Sequence, residues 1–320
     1  MGHWRSLLFA WKFAAWGLFT VSLTAAALLA ASPALAAEAA KGGKAKVGGV
    51  TFSAEGLLMK RDASDDLVWV SDDNDTSNPI DDTPLSTSDG LHEDFNGGAL
   101  VGIEGQGWQI GGFWIDEYHD SQTVLGDGNL NLFEFFAPGA PDTDAFDGAE
   151  EARADYRSQV WGVEANATRQ VTPMVKTLVG LRYVDLKEKF QIFYDDRFID
   201  EGLIHQIGTI DADARNQMVG IQAGAEVSVP VASFLTLEAF GKVGAMANRV
   251  STDVSYADDL IDSEVSRPSF ALDVDGTVGV FLAEAGLGAA VNITQDISLV
   301  LGYRGLYLDG VALADRKSVV

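Results

Sequence analysis

Seven charged residues stand where they could act together: Glu164, Arg182, Glu226, Glu238, Lys242, Glu284 and Arg304. Each lies on the polar side of a segment whose other side is apolar. Carboxylates and cations facing one another in a narrow enclosed space would pair, because an isolated charge taken out of water is costly. Such a cluster has two uses. It can fill the space as a salt-bridged plug, or it can form a charged constriction that selects ions. Glu164 and Arg182 lie on segments joined through Val171-Thr172-Pro173, and Glu284 and Arg304 flank Thr294-Gln295-Asp296. Each pair is therefore expected to meet across its turn. If the charges are a plug, losing Glu284 or Arg304 should open a gap.

Other chemistry is sparse. Asp72, Asp73 and Asp75 around Asn74, with Asp81-Asp82, Asp127, Asp142, Asp144 and Asp147, are oxygen-rich in the manner of calcium loops. No Asp-x-Asp-x-Asp-Gly loop with a closing Glu is present, so they read as solvated negative loops. His92, His119 and His205 are scattered. Asp116, His119 and Asp120 come nearest to a hydrolytic Asp–His constellation, and one such grouping is expected by chance in an acid-rich chain. No enzyme and no cofactor are expected. The chain has no cysteine, which excludes disulfides and thiolate metal sites.

The elements that would position the charges alternate with a period of two. Val219, Ile221, Ala223, Ala225, Val227 and Val229 share one face; Met218, Gly220, Gln222, Gly224, Glu226 and Ser228 share the other. Leu235 to Ala247, Trp161 to Ala167 and Ile297 to Tyr303 repeat the pattern. The segments are long, several about sixteen residues, where soluble strands run about 5–6. Nine strands are predicted: 50–60, 97–105, 108–118, 155–169, 174–191, 215–229, 234–250, 270–293 and 297–308. Connections alternate between tight turns (106–107, 171–173, Pro230, 294–296) and long loops (62–94, 120–154, 195–212, 251–268), the layout of an outer-membrane barrel. Within the second of these loops Leu130, Leu132, Phe133, Phe135 and Phe136 form an apolar island. Single-chain barrels have even strand numbers. Residues 309–320 are thus either an imperfect closing strand, or the sequence stops before one.

The N-terminus fits export. Arg5 and Lys12 precede an apolar run from Phe13 to Ala31, and Ala34 and Ala36 form a small-x-small cleavage signal. Residues 1–36 read as a signal peptide, 37–49 as a flexible tether and 50–320 as the barrel. Taking Arg5 and Lys12 from the chain's net charge of −25 leaves −27. Nucleic-acid partners, which need a basic face, are excluded.

Leu178–Phe190 (LVGLRYVDLKEKF), Asn216–Pro230, Phe234–Asn248 and Ile297–Ala314 resemble the outer-membrane β-barrel proteins of planctomycetes, a porin-like family. They resemble more distantly the Legionella-type major outer-membrane barrels. Gly180-Leu181-Arg182-Tyr183 followed by Leu186 is the most recognisable piece, and the likeness covers Tyr156 onward. It implies an outer-membrane barrel and a pore, and supplies no catalytic residue. Such barrels usually end on an aromatic residue, whereas this chain ends Ser318-Val319-Val320. The sequence thus points to an all-β, antiparallel up-and-down transmembrane barrel of about ten strands, its closing strand missing or degenerate. It would be a porin-like or plugged channel with acidic outer loops, or else a structural or partner-binding barrel without conductance. Its partners would be outer-membrane lipid and small solutes or ions. Outward residues such as Ile221, Val243 and Leu299 should reject charge, and Gln222 should tolerate it better.

Overall fold

The computed structural model describes residues 14–20, 43–47, 49–63, 68–72, 83–87, 95–131, 149–196, 206–260, 270–293 and 297–314. They form β1 (Ala14–Thr20), β2 (Gly43–Val47), β3 (Val50–Ala63), β4 (Val68–Asp72), β5 (Thr83–Thr87), β6 (Asn96–Gly105) and β7 (Trp108–Asn131). β8 (Ala149–Thr172), β9 (Val175–Asp196), β10 (Gln206–Ala232), β11 (Leu235–Leu260), β12 (Phe270–Asn292) and β13 (Ile297–Asp309) follow. The fold is all-β and antiparallel, with β3-β6-β7-β8-β9-β10-β11-β12-β13 running up and down in one sheet.

The nine predicted strands are all present, and most reach further than alternation alone indicated. Residues 120–131, 149–154, 206–212 and 251–260, expected in loops, continue β7, β8, β10 and β11. The 62–94 loop contains a hairpin, β4–β5, whose β4 pairs with the end of β7 at Asn131 and Leu130. Of the apolar island, Leu130 is fully buried at the end of β7; Leu132, Phe133, Phe135 and Phe136 lie outside the described residues. So do Asp73, Asp75, Asp81, Asp82, Asp142, Asp144, Asp147, His92, His205 and the cleavage alanines.

The tenth position is filled from the N-terminal side. Residues 43–47, expected in a tether, form β2, which pairs with β3 and, through Ala45 and Lys44, with Ile297 and Ser298 of β13. Further along the same seam β1 pairs with β3 and β13. β1 falls within the segment read as a leader. Among the described residues β3 and β13 have no ladder of their own, so two short pieces bridge the seam. The closing strand is degenerate, as expected, and it is not the tail: the chain after β13 turns inward instead. β13 stops opposite Phe281, so that among the described residues Phe270–Val280 of β12 have no neighbour on that side.

Tight turns gather at one end of the barrel. Gln106-Gly107 closes β6–β7 with Gly107 at φ +80°, a left-handed conformation that a side chain would strain. The ends of the barrel are called here the turn end and the loop end.

The two halves have opposite polarity. Near the turn end the outward face is apolar: Val179 and Leu181 on β9, Val219 and Ile221 on β10, Val243 on β11 and Leu287 on β12 are all more than half exposed. The inward positions there are Arg182, Gln222, Lys242 and Glu284. Towards the loop end the phase reverses. Outward positions become Asp155 and Arg157 on β8, Lys187 and Lys189 on β9, Asp211 and Asp213 on β10, Asp253 on β11, and Asp273 and Asp275 on β12. The inward side chains become Tyr156, Phe190, Ile192, Tyr194, Ala212, Ala214, Val254 and Tyr256, which pack with Trp69 from β4 into one apolar cluster. The switch follows a single cross-strand row, Trp161–Asp185–Gln217–Arg249–Thr277.

Candidate functional site

The candidate site is the barrel interior. All seven predicted charges sit on inward positions, and the cluster they form is wider than the two expected pairs. Glu164 and Arg182 are direct cross-strand partners, with Arg182 Nη1 3.5 Å from Glu164 Oε2. Arg304 Nη1 lies 3.2 Å from Glu284 Oε1. The closest contact is one that neighbouring-strand reasoning missed: Arg182 of β9 donates to Glu284 of β12, across the lumen. Lys242 Nζ lies 2.6 Å from Glu164 Oε1 and 4.0 Å from Glu284 Oε2. Gln222 donates to Glu164 at 2.9 Å and to Asn166 at 2.8 Å. Gln222 is therefore buried and engaged, which removes the ground for expecting it to tolerate a charge better than Ile221 does.

Two phenylalanines set the guanidinium groups. Phe240 lies opposite Gly286 on the next strand, and a Cβ at Gly286 would strike its ring. The missing side chain lets the ring lie flat, and Arg304 stacks 4.7 Å from its centroid. Phe113 opposite Gly162 repeats the device, with Arg182 at 5.6 Å. Neither aromatic residue was singled out by sequence: each faces its glycine from a strand joined to it through a long connection, β7 to β8 and β11 to β12, so no tight turn fixed the register between them.

Glu226 and Glu238 stand nearer the turn end. Glu226 pairs with Lys176 at 2.7 Å, and Lys176 also reaches Glu104 at 2.7 Å. Lys176 and Glu104 were missed because each lies at the margin of its strand. With Glu55, Glu104, Glu226 and Glu238 in its walls, a cavity of about 210 Å³ opens here, and Arg182, Lys242, Glu284 and Arg304 also line it.

An apolar layer covers the charges on the loop side. Leu57, Met59, Ile115, Val160, Val184, Leu186, Met218, Met246, Val280, Leu282, Leu306 and Leu308 form a second buried cluster. Each strand supplies its next inward residues: Arg182 is followed by Val184 and Leu186, and Arg304 by Leu306 and Leu308. The tail passes through this region. Leu313 joins the layer and Ala314 joins the apolar cluster beyond it. The lumen thus holds a charged layer, an apolar layer, the tail and a second apolar cluster in succession. Burial pushes the Tyr194 phenol in that last cluster well above its ordinary value near 10; its hydroxyl donates to Trp69 O at 2.8 Å.

The loop-side candidates do not converge. Asp116 and Asp120 each accept from the next residue's backbone N–H, and His119 turns to Asp155 at 3.4 Å on the exposed outer face. Asp127 is exposed. Among the described residues no group of three or more His, Asp or Glu side chains could hold a metal. Compared with protein-family models, curated proteins and solved structures, the chain matches none.

Proposed function

We propose that this chain is an outer-membrane β-barrel with a sealed lumen, which anchors a stiff β-structure standing outside the bilayer. The observation that carries this is the phase reversal. A belt of exposed Val, Leu, Ile and Trp around the turn half suits lipid, where a barrel crosses with about 9–11 residues per strand. β10 has 27 residues, so more than half of it stands beyond such a crossing. There its outer face carries Asp211, Asp213 and Arg215, as a solvated surface would. Tyr183 and Trp161, their rings 5.2 Å apart, sit at the boundary, where amphipathic aromatics favour the membrane interface. Export through a cleaved leader, residues 1–36, belongs to the same reading; cleavage takes β1 with it and leaves β2 to bridge β3 and β13.

The sealed form is favoured over an open porin because apolar side chains fill the lumen on the loop side of the charges. The cavity of about 210 Å³ is then a blind vestibule. Purified protein reconstituted in planar bilayers should insert and show no stable channel steps. Sustained conductance of an open pore would overturn the sealed reading. Failure to insert into liposomes, with the protein soluble without detergent, would overturn the membrane reading. Sequencing the N-terminus of the exported protein checks the leader separately.

A further inference from the structure

The tail after β13 has two places to go. Gly310 has φ +85°, a left-handed turn that glycine adopts freely. It sends Val311–Ala314 into the lumen instead of onward along β12. There the chain is held by its main-chain groups. Asn216 Nδ2 donates to Ala312 O at 2.7 Å, and Ala312 N–H donates to Asn216 Oδ1 at 2.8 Å. Asn248 Nδ2 donates to Gly310 O at 3.2 Å and to Asn216 Oδ1 at 2.9 Å. Ala314 N–H donates to Glu188 Oε2 at 3.1 Å. Asn216 and Asn248 are fully buried. A buried asparagine that both gives to and takes from the main chain of one residue acts as a neighbouring strand would, and reads no side chain.

The second place is the free edge of β12. The β12–β13 ladder ends at Phe281 opposite Asp309, and Phe270–Val280 continue beyond it with no partner on that side among the described residues. Continued in register, Gly310 would face Val280, Ala312 would face Val278 and Ala314 would face Gly276. Ala312 and Val278 would both point inward. The exchange keeps the main-chain groups bonded: the tail's peptides leave Asn216, Asn248 and Glu188 and pair with a strand edge that is otherwise open. Gly310 can serve both conformations because it is at home on either side of φ zero.

We propose that residues 310–314 are a two-position plug, seated in the lumen in one state and extending β13 along β12 in the other. The lumen seat is a docking slot for an extended main chain, occupied by the protein's own tail. In the extended state the slot empties and its buried amides and carboxylate take up water, since such groups hold water when their partners leave. The mechanism rests on the barrel itself and not on where the barrel resides.

The natural chain has no cysteine, so engineered pairs report without interference. Met218→Cys with Leu313→Cys, both in the apolar layer and neither one of the tail's amide anchors, reports the seated tail, and Val278→Cys with Ala312→Cys reports the extended one. Under mild oxidation of the full-length protein in detergent, both pairs should form disulfides, the second more slowly. Adding Asn248→Ala to the second pair weakens the seat and should speed its disulfide at least tenfold. Circular dichroism of the reduced variant, unchanged in its β signal, establishes that the barrel is folded. If the 278–312 disulfide fails to form in folded protein, with and without Asn248→Ala, the tail has one position and the proposal falls. Because the assay runs in detergent, its failure leaves the membrane reading untouched, and a failed liposome insertion leaves the plug untouched.

Discussion

Replacing Glu284 by alanine is the sharpest test of the charged layer. Its side chain is 2% exposed and stands against three cations: Arg182, Arg304 at 3.2 Å and Lys242 at 4.0 Å. Without it, those cations share Glu164 alone, which lies 3.5 Å from Arg182 and 2.6 Å from Lys242. Among the described residues Arg304 would keep the Phe240 ring and no carboxylate. Breaking a buried pair in this way costs roughly 3–5 kcal/mol, because it strands charge in a place water reaches poorly. That is about two to three and a half decades in the folding equilibrium. The assay is urea unfolding of the protein in detergent or lipid, followed by tryptophan fluorescence. Pairing Glu284→Ala with Arg182→Met removes one stranded cation, so the double variant should lose less than the two single changes added together. A loss under about 1 kcal/mol for Glu284→Ala, or strict additivity, would refute the view that the layer is a coupled unit. The sequence led us to expect that this change would open a gap. The apolar layer beyond the charges now argues otherwise, and conductance should stay low in the variant even as stability falls.

Three further outcomes are expected. Ile221→Arg, on the exposed apolar belt, should cost roughly 2–4 kcal/mol in lipid, whereas Asp253→Arg, also outward but beyond the phase reversal, should cost almost nothing by the same titration; equal costs would remove the case for a belt. Gly286→Val should push Phe240 off its seat and cost roughly 1–3 kcal/mol, and Phe240→Ala should recover part of that in a double-mutant cycle; no recovery would show that the clash is elsewhere. Because the folded Tyr194 phenol titrates above its unfolded value, its contribution to stability is fully present below pH about 10 and falls as pH rises towards the folded value. The protein should thus be less stable to urea at pH 11 than at pH 9, and Tyr194→Phe should flatten that slope; an equal slope in the variant would place the cause at another group.

The strands of the turn half were legible because one face is purely apolar from Val219 to Val229 and from Leu235 to Ala247. The loop half was not, although its alternation is as regular. Asp211 read as a loop residue, and the strand was begun only at Arg215, because the apolar partners Ile210, Ala212 and Ala214 had changed sides, and a pattern judged by one face is lost where the faces exchange. The inward charges, and their two pairs across turns, were readable from register alone, but the contact across the lumen was not. Arg182 meets Glu284 because the sheet curls, and curvature leaves no mark in the spacing of either residue. The tail's seat was invisible for a different reason: Asn216 and Asn248 bind main-chain atoms, which every residue carries. β2 was hidden because Gly43-Lys44-Ala45-Lys46 has the composition of a linker and gains its conformation only from β3 and β13.

With the barrel in a bilayer as proposed, the row Trp161–Asp185–Gln217–Arg249–Thr277 would act as a waterline. Were the barrel to sink by one pair of residues, about 5 Å along a tilted strand, Asp185, Arg215 and Arg249 would enter hydrocarbon together. Rising by the same step would strip lipid from Trp161, Tyr183 and Val219 at once. Each displacement is opposed on several strands simultaneously, so the restoring force is steep in both directions. A bilayer of another thickness would then have to adapt to this barrel, since the barrel has no cheap way to ride deeper or shallower.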